Sequence, residues 1–226
     1  MTHVNRQIEA EAPAGRRRPY ASRVRADQAA ATRASILEAA LAEFTAHGYP
    51  GAKVAAVARR AGVAVDTVYA AVGPKPQLLR AVVESAISGV DHAVPAEERD
   101  YVLRIHAART AREKIAIYAN AVAEIQPRMA RVYRMLRSAA PSEPDAAGIW
   151  QEISDRRARN MRLFVAELRT AGGVRDDMDD DALADVVWLL GGTETWLALV
   201  DDRGWAPQRF EAWLAESWTR LLLDEA

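Results

Sequence analysis

The 226-residue chain contains no cysteine, which excludes disulfides and any thiolate-held zinc site. Alternating apolar–polar runs are nearly absent, so the sequence carries no signature of a half-buried sheet. No apolar run approaches the roughly twenty residues that a transmembrane helix needs. The polar N-terminus lacks the apolar core of a secretion signal, and a soluble, cytoplasmic protein without a membrane partner is expected. Catalytic patterns are missing too. The four histidines, His3, His47, His92 and His106, show no i, i+4 pairing and no H-E-x-x-H spacing, and there is no phosphate-binding glycine loop or nucleophile elbow. His106, on an apolar-flanked helix, reads as a structural residue. No enzyme activity, cofactor or metal is expected. The acidic run from Asp176 to Asp181 fails as a calcium loop. With Asp177 as first ligand, a glycine is required at Ala182 and a bidentate acid at Trp188. These acids instead suit the N-terminus of the following helix, where the helix dipole favours negative charge.

Half of the residues are apolar, enough for a substantial core, and Gly/Pro pairs fall between stretches of helical period. The class is therefore all-α. The net charge of −1 hides an asymmetry: residues 1–80 hold 12 Lys and Arg against 6 Asp and Glu, and residues 81–226 hold 18 against 25. A basic head on an acidic body is the distribution that a nucleic-acid-binding head requires. Residues 1–26 lack a helical stripe and include Arg16-Arg17-Arg18, Arg23 and Arg25, which predicts a disordered basic arm for phosphate or minor-groove contact or simple solvation. Asp27 is a candidate N-cap for a first long helix running to His47, with Gly48 closing it.

The densest signal lies between Ala52 and Leu79. Val54, Val57 and Ala58 form one apolar stripe, Gly62 closes that helix, and Val65, Val68, Tyr69 and Val72 resume the stripe until Gly73-Pro74 stops it. Helix, short turn, helix is the helix-turn-helix unit, whose second helix enters the DNA major groove. Within that second helix, Val68 and Val72 are predicted to pack inward. Val65, Asp66, Thr67 and Ala70 are predicted to face base edges, Thr67 through its hydroxyl or methyl and Asp66 by accepting from a cytosine amine or by capping the helix. Pro76 suits the first turn of a further helix, made amphipathic by Leu78, Leu79, Val82, Val83 and Ile87 up to Val90.

Gly62-Val63, Thr67-Val68-Tyr69, Lys75 and Leu78-Leu79, together with the preceding Ile36-Leu37-Glu38-Ala39-Ala40, Phe44 and His47-Gly48-Tyr49, resemble the N-terminal signature of TetR-type transcriptional regulators over about residues 32–90. The family pattern reads Ala-Gly-Val-Ser, Thr-x-Tyr, an aromatic-Phe pair and Lys-x-x-Leu-Leu. Here Ala64 stands in the Ser place, Ala70-Ala71-Val72 replaces the bulky pair, Pro74-Lys75-Pro76 replaces Ser-Lys-Glu, and Ala52 replaces a Thr. The resemblance implies phosphate contacts for Tyr69 and Lys75, which Lys53 would supplement at the start of the first motif helix. It also implies a three-helix head and linking helix over 27–90, and a helical-bundle body over 91–226 for ligand binding and dimerisation.

Beyond residue 90 the reading rests mostly on period. Ala96–Ala107 is a short helix. Thr110 and Glu113 form a capping-box pattern opening a helix with Ile115, Tyr118, Ala119 and Val122. Pro127 starts another, and a long helix follows from about Asp145 to Thr170. A helix from about Asp180 to Val200 is weakened at Gly191-Gly192, which predicts a kink or a close backbone approach. The last helix starts near Pro207. Tyr118, Met129, Tyr133, Trp150, Met161, Phe164 and Trp188 cluster in the middle helices. Such stripes are usually core, but the resemblance makes them candidates to line an apolar effector cavity. The final two helices are apolar over more than one face, a pattern expected where a second subunit covers them. Leu190, Leu197, Phe210, Trp213, Leu214 and Trp218 are the candidate dimer contacts, with a well-buried monomer core as the rival reading. The resemblance thus implies a homodimer binding a pseudo-palindromic double-stranded operator, most simply as a repressor released by a small apolar or amphipathic effector. Two alternatives stay open at this level: a helical interaction or ligand-binding protein without operator binding, and an all-helical enzyme with an unrecognised site.

Overall fold

The computed structural model describes residues 17–224, with side chains from residue 24 onward. Ten α-helices follow one another: α1 (Arg17–Gly51), α2 (Val54–Ala61), α3 (Val65–Ala71), α4 (Lys75–Ser88), α5 (Asp100–Ala107), α6 (Ala111–Ala139), α7 (Pro144–Ala171), α8 (Asp180–Leu190), α9 (Thr193–Trp196) and α10 (Pro207–Leu222). A 3₁₀ turn (Ala96–Glu98) precedes α5, and a π-helical turn (Leu197–Asp202) prolongs α9. Among the described residues there is no strand, only an isolated antiparallel bridge between Val174 and Leu223.

Local chemistry sets most of these boundaries. α1 loses helical geometry at Gly48, so its last residues form a separate turn. Gly62 closes α2 in the left-handed region at φ 70°, where its amide donates back to Ala58 and Arg59. Thr110 caps α6 by accepting from the Glu113 amide at 3.2 Å, and the Glu113 carboxylate accepts from the Thr110 amide at 3.1 Å. This is the complete capping box. Asp179 caps α8 by accepting from Ala182 at 2.7 Å, with Asp180 and Asp181 in the first turn. The acidic run therefore serves a helix N-terminus, and no grouping of three potential metal ligands occurs among the described residues.

The expected short helix Ala96–Ala107 is split at the extended Arg99 into the 3₁₀ turn and α5, and three further features differ from the sequence expectation. α1 begins at Arg17, so the stretch read as a structureless arm is already helical from there. Residues 1–16, including most of that arm, lie outside the described residues. Pro127 does not start a helix: it lies inside the continuous α6. The missing proline N–H forfeits one hydrogen bond, but residues buried on both sides of it, from Ala111 to Ala139, hold the helix in one piece. The third difference concerns Asp180–Asp202, 23 residues long and apolar enough to cross a membrane by length and composition, contrary to the expectation that no such run exists. It is interrupted at Gly191-Gly192, and its inner residues Leu183, Val187 and Trp196 belong to the body core. The sequence hides the run because Asp185, Glu194 and Asp201 interrupt it on its outer side.

Two hydrophobic cores result. The first joins Ile36, Phe44, Val57, Val68, Leu78 and Leu79 of α1–α4 to Val132, Met135 and Leu136 of α6 and Ile149 of α7. The second gathers Ile115, Phe164, Leu168, Leu183, Phe210, Leu214 and Trp218. Because α6 contributes to both, the first core spans either side of residue 90. Polar contacts reinforce the same junction. Tyr49 donates to Asp145 at 3.0 Å, Arg80 pairs with Glu152 at 2.6 Å, and Arg156 pairs with Glu84 at 2.8 Å. Arg128 also donates to the Ala86 carbonyl at 3.0 Å.

Candidate nucleic-acid interface and body cavity

α3 is anchored by a single fully buried side chain, Val68, while Val65, Asp66, Tyr69 and Ala70 are exposed and Thr67 is half-buried. One side chain inward and four outward on a seven-residue helix is an arrangement suited to reading a surface rather than filling a core. Val65 and Tyr69 do not continue the inward stripe that their spacing suggested. Tyr69 is 48% exposed, because so short a helix, with Val68 already inward, has no second layer to cover them. Support for α3 comes from behind. Arg33 of α1 donates to the Ala71 carbonyl at the end of α3 and to Asp91. The α2 surface is held to α1 by Arg60 donating to Glu43 at 3.0 Å.

The cations flanking α3 divide by environment. Lys53 is exposed at the N-cap of α2, without a side-chain cap bond. Lys75 is half-buried at the start of α4. Its ammonium donates to the Pro50 carbonyl at 3.1 Å and lies 4.6 Å from the centre of the Tyr49 ring. It therefore ties α4 to the end of α1, with two of its three donors left over. Burial and the neighbouring Asp145 carboxylate push the Tyr49 phenol well above its ordinary value, so it stays a donor. At α3, Ala64 is the N-cap and supplies no side-chain oxygen. Asp66 lies in the first turn, where its charge suits the dipole, and it does not take the cap position.

In the body, two adjoining cavities open between α5, α6, α7, α8 and α10. The first, of about 110 Å³, is lined by Tyr118, Met129, Met161, Gln126, Trp218 and three arginines, Arg99, Arg156 and Arg157, among others. The second, of about 170 Å³, is lined by Tyr133, Trp150, Trp188, Glu194 and again Met129 and Arg157. Six of the seven side chains expected from sequence to line a pocket thus do so. Phe164 does not: it packs 4.6 Å from the Tyr118 ring within the second core and is buried there.

The polar lining is what sequence reasoning missed. Arg157 donates to the Trp188 carbonyl and stacks 4.9 Å from the Trp188 ring, and burial lowers its pKa. Tyr133 donates to Glu194 and accepts from Arg137 at 2.7 Å, and its phenol is pushed up to about 12 by burial and by Glu194. Tyr118, stacked 5.4 Å from Trp218, is likewise raised by burial. A signal existed: Ile153, Arg157 and Met161 follow at spacings of four, so a cation interrupts an apolar stripe on α7. The arginine-rich run Asp155–Arg162 reads more readily as a solvated face, which obscures it.

The expected dimer contacts split. Phe210, Leu214 and Trp218 have no exposed surface and form the core of the single chain, with Phe210 edge-on to Trp196 at 5.0 Å. That corrects the sequence reading. α10 is amphipathic, and its strongest apolar stripe faces α6 and α8 of its own chain. Leu190, Leu197 and Trp213 are only partly buried, and Leu189 of α8 and Leu221 of α10 are exposed.

Comparison with known proteins agrees with this geometry. Residues 36–82 match the family described as bacterial regulatory proteins, tetR family. A repressor of the helix-turn-helix type from Streptomyces coelicolor is 37% identical over 70 residues, a match spanning 31% of this chain and 36% of the relative. At the level of fold, NalD of Pseudomonas aeruginosa, a secondary repressor of a multidrug efflux pump, superposes with a TM-score of 0.65 at 20% identity, covering 86% of this chain and 98% of that one. FadR of Bacillus subtilis, solved with stearoyl-CoA, gives 0.65 at 19% identity, covering 83% and 97%. Residues 36–82 of this chain are therefore similar to the tetR family, and the chain shares the fold of these two regulators.

Proposed function

We propose that the protein is a one-component transcriptional repressor, acting in the cytoplasm as a homodimer on a pseudo-palindromic operator. The observation that carries this reading is α3, a helix with one buried anchor and an outward face of Val65, Asp66, Thr67, Tyr69 and Ala70, set in a basic head. Base edges are read by Thr67 and the neighbouring small side chains. Phosphates are taken by the Tyr69 hydroxyl, the remaining Lys75 donors and Lys53. A homodimer would place two such helices in successive major-groove half-sites. The body cavities supply the effector site, and the head–body junction through α4 supplies the route. A ligand that prefers one packing of α6 and α7 shifts the separation of the heads by its differential affinity alone.

The test is salt-titrated fluorescence anisotropy on DNA flanking the protein's own gene, with wild type and a Tyr69→Ala/Lys75→Ala variant. Tight, competitor-resistant binding that weakens in the variant, with a shallower salt slope, is expected. Sequence-blind binding, or a variant that binds as well as wild type, would refute the assignment.

A further inference from the structure

Three buried side-chain atoms among the described residues lack a hydrogen-bond partner: Gln126 Oε1, Arg156 Nη2 and Trp218 Nε1. All three residues line the same cavity, the first of the two described above. Buried polar groups are ordinarily satisfied, and an orphan is destabilising. Three around one small space therefore mark a place built for a polar occupant. The Gln126 orientation is set, because its Nε2 donates to the Gly191 carbonyl at 2.8 Å, which leaves Oε1 as a free acceptor. Arg156 Nη2 and Trp218 Nε1 are free donors, and the former is cationic.

The charge of the lining points the same way. Arg99, Arg156 and Arg157 all contribute to this cavity and no Asp or Glu does. Arg99 spends its donors on the Val94 carbonyl and the Tyr101 hydroxyl, and Arg157 spends one on the Trp188 carbonyl. Neither is in an ion pair among the described residues, although Glu194 of the adjoining cavity lies within electrostatic reach of Arg157. A partly desolvated cluster of three cations is stabilised by an anion and repels another cation. Apolar walls from Val122, Met129 and Met161 complete the lining.

Resting on the regulator reading, we infer that the effector is a small hydroxylated carboxylic acid on an apolar frame, sensed through Arg156. Its carboxylate accepts from Arg156 Nη2 and Trp218 Nε1, and its hydroxyl donates to Gln126 Oε1. Arg156 is the relay. Its other terminal nitrogen, Nη1, holds Glu84 of α4 at 2.8 Å in a mostly buried pair. A carboxylate on Nη2 shares with Glu84 on Nη1 the single positive charge of that guanidinium, which weakens the Arg156–Glu84 pair, loosens α4 from α7 and so reaches the helix that joins the body to α3.

The experiment uses the full chain with salicylate, benzoate, mandelate and 3-hydroxydecanoate, each against its neutral amide, followed by tryptophan fluorescence and thermal shift. At least one acid is expected to bind at least tenfold more tightly than its amide. The preference should vanish in Arg156→Gln, while Gln126→Met, which keeps the cation, should lose only the advantage of salicylate over benzoate. Equal binding of acids and amides, or no acid bound at millimolar concentration, would overturn the inference, with water left as the occupant. The relay is read by hydrogen exchange on residues 75–88, which needs no DNA. A bound acid should speed exchange there in wild type and not in Glu84→Gln, whose binding of the acid is retained. Equal acceleration in both would sink the relay. DNA binding measured alongside separates the outcomes, since an intact operator complex that ignores every acid defeats the effector class and leaves the regulator reading standing.

Discussion

Ala64 is the point where this chain departs most consequentially from the TetR-type pattern it resembles. It stands at the N-cap of α3 in extended geometry, φ −71° and ψ 153°, with no side chain to satisfy the first-turn amides. The backbone is already in the conformation that a capping serine adopts, so Ala64→Ser should stabilise the protein by ~1 kcal/mol. Urea unfolding checks this, and an unchanged midpoint would mean that water caps α3 equally well. Gly191 makes the opposite case. A Cβ there would lie 2.9 Å from Trp218 Cζ2 and 3.1 Å from the Val187 carbonyl. The indole is fully buried and stacked on Tyr118, so it has nowhere to go. Gly191→Ala should cost about 1–3 kcal/mol and alter ligand binding, because Gly191 and Trp218 both line the first cavity. A lowered thermal midpoint together with a changed tryptophan emission is the expected signature.

At the scale of helices, α5, α6 and α7 meet at one buried charge. Lys114 of α6, almost wholly buried, donates to the Ile105 carbonyl at 2.6 Å and pairs with Glu167 of α7 at 3.0 Å. His106 of α5 adds a contact to Glu167 at 2.9 Å, which gives that histidine the structural part its flanks suggested. Burial pushes the Glu167 carboxyl up, but the hydrogen bond and charge of Lys114, with His106, outweigh it and hold the carboxyl below its ordinary value of 4.5. A depressed carboxyl stabilises the fold above its unfolded value and loses that contribution as pH falls through the folded one. Acid unfolding should therefore steepen below about pH 4.5, and Glu167→Gln should flatten that limb while lowering stability at neutral pH. Identical acid limbs for the two proteins would show that Glu167 titrates normally. Lys114→Met tests the other side. Removing the cation leaves Glu167 with His106 alone, so its acid limb should move to higher pH.

For the whole molecule, the question is which apolar surface remains after the chain has folded on itself. Phe210, Leu214 and Trp218 are consumed by the body core, so Trp218→Ala should unfold the body, at a cost of about 3–5 kcal/mol. Leu190, Leu197 and Trp213 remain partly open, and Leu189 of α8 and Leu221 of α10 are exposed. If this face pairs with a second copy, Leu197→Arg/Trp213→Arg should give a folded monomer by light scattering, with operator affinity lost through the missing half-site. A variant that stays dimeric would place the interface elsewhere. The shared role of α6 in both cores makes a further point about the whole. Head and body are not separable at residue 90, since Val132, Met135 and Leu136 complete the core around α1 and α4. A fragment ending at residue 90 should accordingly be unstable.

Local chemistry made the head and the start of α6 legible in the sequence. Gly62, the spacing of Val57, Ala58 and Val68, and the Thr110–Glu113 box act within a few residues, and each produced the helix end or stripe it predicts. The aromatic and sulfur residues at the cavities were candidates through the resemblance alone, because helical spacing by itself only says that they turn inward. Tertiary structure decided the rest. Pro127 sits mid-helix because packing on both sides overrides one lost hydrogen bond. Phe210, Leu214 and Trp218 face their own chain because periodicity marks an apolar stripe without saying what will cover it. Gln126, Arg156 and Trp218 share one cavity although they come from three helices. An unsatisfied atom is a property of what surrounds it, and those surroundings exist only once α6, α7 and α10 have packed together.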